Sequence, residues 1–397
     1  MRGKTTEALT ARVLNGMAEV PPAIWDGLAN PPGGPVNPFV SHAFLLALEQ
    51  SGSATARTGW KPCHLLLEDH AGKVLGAMPC YLKSHSRGEY VFDWGWADAI
   101  ERVGGRYYPK LQVSVPFTPV TGPRLLVPPG DMADAYRRLL AEASRTLAEQ
   151  SGASSVHITF VSAPEWSLFD TDSWLKRTDT QFHWHNRGYG SFEDFLNDLS
   201  SRKRKNIRKE RGLVARSGLA IRWLTGSDLA ESHWDAFFRF YMDTGSRKWG
   251  SPYLTRRFFS LVGETMRNQI LLVMVERAGR PIAGALNFFG SDALYGRNWG
   301  AIEHHECLHF EACYYQAIEF AIHRRLMRVE AGAQGPHKLA RGYLPTTTMS
   351  LHHIRDRRLA RAVSDYLAAE RLEVAENAAI LSAHSPFRQQ AMEDQDF

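Results

Sequence analysis

Two stretches lying about 207 residues apart share one pattern, and that repeat limits the fold more than any other feature of the sequence. CHLLLEDHAGKVLGAMPCYL, beginning at Cys63, aligns with LLVMVERAGRPIAGALNFFG, beginning at Leu271. Gly72 falls on Gly279 and, after a one-residue slip, Gly76-Ala77 falls on Gly284-Ala285. Further on, Trp94-Gly95 matches Trp299-Gly300 at an offset of 205. Each copy predicts an apolar strand, an A-G-K/R turn, a second strand, and a third strand ending in Trp-Gly. The chain therefore reads as two copies of one α/β unit.

Its length of 397 residues agrees, since one hydrophobic core rarely organises so much chain. The expected division is a first domain at 1–190, a basic helical linker at 191–218 and a second domain at 219–397 with a C-terminal helix. Hydrophobic residues at 44% and charged residues at 22% exclude a disordered or fibrous chain. No window is apolar enough to span a bilayer, and the first thirty residues lack a signal-peptide pattern, so a cytoplasmic location is expected. The four cysteines, Cys63, Cys80, Cys307 and Cys313, form no C-x-x-C pair, which argues against a disulfide scaffold or a zinc ribbon.

Charge is concentrated. Between Arg202 and Arg216 stand eight Lys or Arg and one acid, Glu210, so this stretch alone exceeds the net +5 of the whole chain. Arg202, Lys205, Lys209 and Arg216 fall on one helical face, with Arg208 nearby. Like charges at i, i+4 cost stability, so the stripe fits a polyanionic partner better than bare solvent.

Around that segment the pattern predicts helices at 132–150 and from Ser191, where Ser191 and Asp194 resemble a capping box. SSVHITFVS reads as a buried strand, and Leu219 to Leu224 as the strand that opens the second half. YYPKLQVSVPFTPVTGPRLLV, broken by prolines, reads as an extended insertion at a sheet edge. FEACYYQAIEFAIHRRL is helical, RVEAG a short strand, HKLARGYL a short helix or loop and TTTMSLHHI a strand. A long terminal helix follows.

Two motifs invite chemistry. His305-Glu306-Cys307-Leu308-His309 spells H-E-x-x-H, which in a zinc hydrolase lies wholly on one helix. Here the helical stripe starts only at Phe310, so the two imidazoles need not converge, and no metal is expected. The segment from Glu330 to Tyr343 gathers Glu330, Gln334, His337, Lys338, Arg341 and Tyr343 within fourteen positions after an apolar strand. Glu330 interrupts a strand that should be buried, which marks it for function.

At these residues the sequence resembles a known family. PFTPVTGPRLL in the first half, and HFEACYYQAIEFAIHRRL with VEAGAQGPHKLARGYLPTTTMSLHHI in the second, are similar to the FemAB-like bacterial N-acyltransferases of the peptidoglycan biosynthesis or recognition type. The resemblance implies an α/β fold of two tandem GNAT-like domains, the acyl-CoA N-acyltransferase fold, with mixed central sheets. It implies transfer of an aminoacyl group from aminoacyl-tRNA to an amine of a small molecule or cell-wall precursor, with no bound cofactor. By that resemblance Arg202, Lys203, Lys205, Arg208 and Lys209 would bind tRNA. An acyl-CoA donor is the alternative, but EHHECLHF has no glycine where acetyltransferases of this fold cradle a pyrophosphate. A non-catalytic peptidoglycan- or RNA-binding protein is the other reading.

In a GNAT-like site two parallel strands part, here those ending at Trp299-Gly300 and Ala331-Gly332. Glu330 and His337 are the expected bases for the acceptor amine. Lys338, Arg341 or strand N-H groups would hold the oxyanion, and Tyr343 or Tyr314 would protonate the leaving group. Asn298, Trp299, His309, Glu311 and Gln334 complete the expected substrate contacts.

Overall fold

The computed structural model describes residues 9–248, 252–332 and 335–388. Its first half contributes strands β1 (Thr10–Leu14), β2 (Trp60–Pro62), β3 (His64–Glu68), β4 (Val74–Met78), β5 (Tyr81–Lys83), β6 (Lys110–Val113), β7 (Ser155–Thr159) and β8 (Leu175–His185). The second contributes β9 (Leu219–Leu224), β10 (Ile270–Arg277), β11 (Arg280–Phe289), β12 (Ala293–Ala301), β13 (Arg328–Glu330) and β14 (Leu344–Ile354). β1, β3 and β4 form a small sheet, and the other eleven strands run β2-β5-β6-β7-β14-β8-β13-β12-β11-β10-β9. Only β6–β7 and β12–β13 are parallel; every other pair is antiparallel.

The predicted hairpins are present in both halves. Arg277 pairs with Arg280 across a two-residue turn in which Ala278 and Gly279 have φ of 50° and 74°. Both central residues of such a turn need positive φ, a demand that glycine meets without strain. Gly72, its counterpart between β3 and β4, has φ 78°. The matching Trp-Gly pairs part company, however. Trp299-Gly300 lies in β12, whereas Trp94-Gly95 opens the helix Trp94–Arg102. The first-half partner of β12 is β6, since each is the strand paired in parallel with the next one along.

That partner corrects a second expectation. Lys110–Val113 is a central strand, buried at all four residues, and no edge insertion. Lys110 is tolerated there because its ammonium meets Glu89 Oε2 at 2.7 Å, Ser86 Oγ at 2.8 Å and the carboxylate of Asp93. A buried charge this well partnered does not need solvent.

The halves complete each other. β8, from the first half, lies between β14 and β13 of the second, while β14 lies between β7 and β8. Their pairing runs from Leu344↔His183 to His352↔Leu175. Each half therefore lends its last strand to the seam of one continuous sheet. Helices cover it on both faces, and three large apolar clusters and a smaller fourth fill the layers between. The helix Ala133–Gln150, the capped helix Phe192–Asp198 and the terminal helix Arg357–Ala383 stand where their patterns predict. Among the described residues no helix is long and apolar enough to cross a membrane.

Candidate active site

β12 and β13 pair only from Ala293↔Arg328 to Tyr295↔Glu330 and then part. Beyond that point a cleft of about 180 Å³ opens between them, floored by Gly296 to Trp299 on one strand and by Ala331 and Gly332 after the other. Lys338 fixes the parting. Its Nζ donates to the carbonyls of Ala331 at 2.8 Å and Gly332 at 2.9 Å, satisfying backbone groups that no longer have a strand partner. Burial lowers its pKa to about 8.

One wall comes from the second half. Leu308–Phe310 is helical, Glu311–Tyr315 widens into a π turn, and Gln316–His323 continues the helix. A π turn re-aims side chains at a site without ending the helix. His309, Cys313 and Tyr314 line the cleft from here. The His309 ring lies edge-on to Trp299 and Tyr314, with centroids 5.5 and 5.4 Å away. Tyr314 Oη lies 2.9 Å from His337 Nε2. Burial, then the neighbouring Cys313, raises the Tyr314 pKa, so the phenol keeps its proton. Burial, followed by Lys338 and Arg341, lowers the His337 pKa and favours neutral imidazole.

The other wall comes from the first half. Tyr90 and Pro119 face the cleft, and Phe117 O accepts from Arg297, a cleft residue of β12. The segment that supplies Phe117 and Pro119 is bonded across the end of β7. Gly122 N donates to Phe160 O at 3.0 Å and Arg124 Nε to Thr159 O at 3.0 Å. PFTPVTGPRLL thus joins the first half to the second-half cleft.

The expected residues separate into groups. Asn298, Trp299, His309 and Tyr314 line the cleft, and His337 touches Tyr314 beside it. Glu330 is buried in β13, 2.9 Å from Arg328 Nε, and does not line the cleft. Burial raises its pKa to about 7 against the pull of Arg328. Tyr343 is wholly buried, and its hydroxyl donates to Tyr314 O at 3.3 Å, which gives it a place in the core and no access to a leaving group. Glu311 is occupied by Arg211 and by Gln316 Nε2 at 2.7 Å. Arg341 is held by Glu210 Oε1 at 2.7 Å and His337 O at 2.8 Å, and lies 3.4 Å from the centre of the Phe310 ring. Gln334 lies outside the described residues.

The H-E-x-x-H string does not form a metal-binding helix. Cys307 has φ 62°, in the left-handed region, and the helix begins at Leu308. His305 is on the preceding turn, 3.1 Å from Glu303 Oε2. Sequence reasoning missed Tyr90, Pro119, Asn287, Arg297 and Cys313. Arg297 carried a signal, a cation interrupting the strand ALYGRNWG, of the same kind that singled out Glu330. Tyr90 carried none, because only the packing of the two halves brings it here.

The basic helix Ser201–Ala215 docks beside the cleft. Ile207 and Val214 bury its inner side, Glu210 binds Arg341 and the Tyr315 hydroxyl, and Arg211 binds Glu311 and Glu319. Arg202, Lys205, Arg208, Lys209 and Arg216 are exposed, and Lys203 is partly buried. Arg208 pairs with Glu193. Among the described residues none of Arg202, Lys203, Lys205, Lys209 and Arg216 has an ion-pair partner.

Two α/β units, each with one parallel pair, and a cleft where the second pair parts define an acyltransferase of tandem GNAT architecture. The chain belongs to the FemAB-like family, described as peptidoglycan biosynthesis/recognition, whose model matches residues 16–389. It is similar to the crystal structure of FemX, at 10% identity and TM-score 0.49 over 80% of this chain and 93% of that one. It is similar to L-PGS from Bacillus licheniformis, at 10% identity and TM-score 0.49 over 86% and 96%. A tandem GNAT protein of the clavulanic acid biosynthesis pathway gives 12% identity and TM-score 0.48 over 87% and 98%. No curated protein matches the sequence.

Proposed function

We propose that this protein transfers an aminoacyl group from an aminoacyl-tRNA to the amine of a small molecule or peptidoglycan-type precursor, in the cleft between β12 and β13. The observation that carries the reading is the attachment of the basic helix. Its inner residues Glu210 and Arg211 grip Arg341, Tyr315 and Glu311, on the elements that build the cleft wall, while of its outer cations only Arg208 is ion-paired among the described residues. A polyanion bound to that face would hold its acyl end next to His309 and Tyr314. The turn at 302–307 has no glycine and carries Glu303 and Glu306, which suits a CoA pyrophosphate poorly.

In this reading His309 takes the proton of the attacking amine, and Tyr314, backed by His337, gives a proton to the leaving ribose oxygen. The amine nitrogen forms the new bond to the acyl carbon as the ester C-O bond breaks. Binding of bulk aminoacyl-tRNA and of acetyl-CoA, measured side by side over a salt series, tests the donor. Salt-sensitive tRNA binding that is lost on replacing Arg202, Lys205 and Lys209 together by Ala is the expected result. Acetyl-CoA binding without tRNA binding would overturn it.

A further inference from the structure

The first-half side of the cleft holds a cation that forms no ion pair among the described residues. Arg297 is partly buried in β12 and lines the cleft, yet no carboxylate comes within ion-pair distance of it among the described residues. Its guanidinium donates to Phe117 O and to the Tyr90 hydroxyl. Both partners are neutral, and both come from the other half of the chain. Glu330, whose charge reaches Arg297 only at longer range, is bonded to Arg328 through Oε1. Burial lowers the Arg297 pKa from the ordinary arginine value, outweighing the pull of Tyr90 and, at longer range, of Glu330.

Among the described residues most other buried cations are matched by a carboxylate, Lys338 being satisfied instead by the carbonyls of Ala331 and Gly332. Lys110 has Glu89 and Asp93, Arg328 has Asp292 and Glu330, and Arg341 has Glu210. Arg124, likewise without a carboxylate at its guanidinium, spends it on the carbonyls of Thr159, Pro123 and Val120 and does not line the cleft. Arg297 still has N-H donors beyond those given to Phe117 and Tyr90, and Asn298 lines the cleft next to it. A planar fork with free donors suits two oxygens of one carboxylate.

We propose that Arg297, held by Tyr90 and Phe117, is the binding site for a carboxylate of the acceptor, so that the acceptor is an amino acid or peptide carrying an amine and a carboxylate. The inference rests on reading the cleft as the transfer site and names the acceptor class for it. The cleft then has a division of labour: the helix wall handles the acyl donor, and Arg297, positioned by the first half, selects the acceptor by its charge.

Glycylglycine and its neutral counterpart glycylglycinamide are suitable probes, titrated by NMR into the full chain, with methyl phosphate as a third. Wild type is expected to bind glycylglycine about tenfold more tightly than the amide, and Arg297→Met to abolish that preference. Arg297→Lys, which keeps the charge and loses the fork, is expected to retain only part of it, and thermal melts confirm that each variant folds. Equal binding of the two peptides by wild type, an undiminished preference in a folded Arg297→Met, or tighter binding of methyl phosphate than of glycylglycine would each overturn the proposal. tRNA binding by the same variants separates the two readings. If tRNA fails to bind while the carboxylate preference stands, the donor assignment falls and the acceptor site survives.

Discussion

The Tyr314 hydroxyl and His337 Nε2 are 2.9 Å apart, joining a side chain of the π turn to the short helix Pro336–Arg341 that follows β13. The pair brings to the cleft wall a phenol whose pKa is raised and sets beside it an imidazole whose pKa is lowered.

Tyr314→Phe removes the donated proton and leaves the ring packing intact. Its kcat for aminoacyl transfer is expected to fall about 10²-fold with KM little changed. His337→Ala is expected to lose less, because water can replace it. A Tyr314→Phe enzyme with wild-type kcat would remove Tyr314 from the chemistry.

Glu330 makes stability depend on pH in an unusual direction. Its folded pKa of about 7 lies above the ordinary value of 4.5, so the folded state binds the proton more tightly than the unfolded chain. The contribution is complete below pH 4.5 and is lost as pH rises through 7, on the order of 3 kcal/mol. Denaturant melts of wild type and Glu330→Gln at pH 5 and pH 8 should show the variant gaining relative stability at the higher pH. A constant difference between them would contradict this.

Glu210 joins the basic helix to the cleft wall through Arg341, with 22% and 9% of the two side chains exposed. Glu210→Ala leaves the guanidinium without its carboxylate and should cost about 1–3 kcal/mol, read as a lower urea midpoint at unchanged m-value. Arg208→Ala breaks a solvent-exposed pair and should change the midpoint hardly at all.

Lys110→Met strands Glu89 and Asp93 in the core and is expected to destabilise by about 3–5 kcal/mol. Adding Glu89→Gln and Asp93→Asn to the same chain should recover part of that loss. A triple variant less stable than Lys110→Met would show that the carboxylates have other indispensable partners.

Gly300 lies where the helix Glu231–Lys248 crosses β12. A Cβ there would stand 2.3 Å from the backbone carbon of Phe240, so Gly300→Ala must push the helix off the sheet. A loss of roughly 1–3 kcal/mol is expected in a thermal melt, whereas Gly95→Ala, with open space around it, should be nearly neutral.

Local order was legible in the sequence wherever neighbouring residues settle it. The glycine turns, the stripe Phe310, Tyr314, Ala317, Ile318, Ala321 and Ile322, and the cation-rich helix each follow from spacing alone. The cleft's expected position at Trp299 and Ala331 came from the family resemblance and not from spacing. What failed was local resemblance without shared environment. Trp94-Gly95 looks like Trp299-Gly300 but starts a helix, and the prolines around Lys110 hid a central strand.

Pairing over long separations belongs to the tertiary structure. The exchange of β8 and β14 joins residues about 170 positions apart, a choice made by the burial of both faces of the seam. The same packing brought Tyr90 and Phe117 to Arg297 and drew Tyr343, Glu311 and Arg341 into structural bonds. Sequence set the chemical types available and the local shapes that carry them. Which of those groups meet the cleft depended on desolvation and on hydrogen-bond partners supplied from the opposite half of the chain.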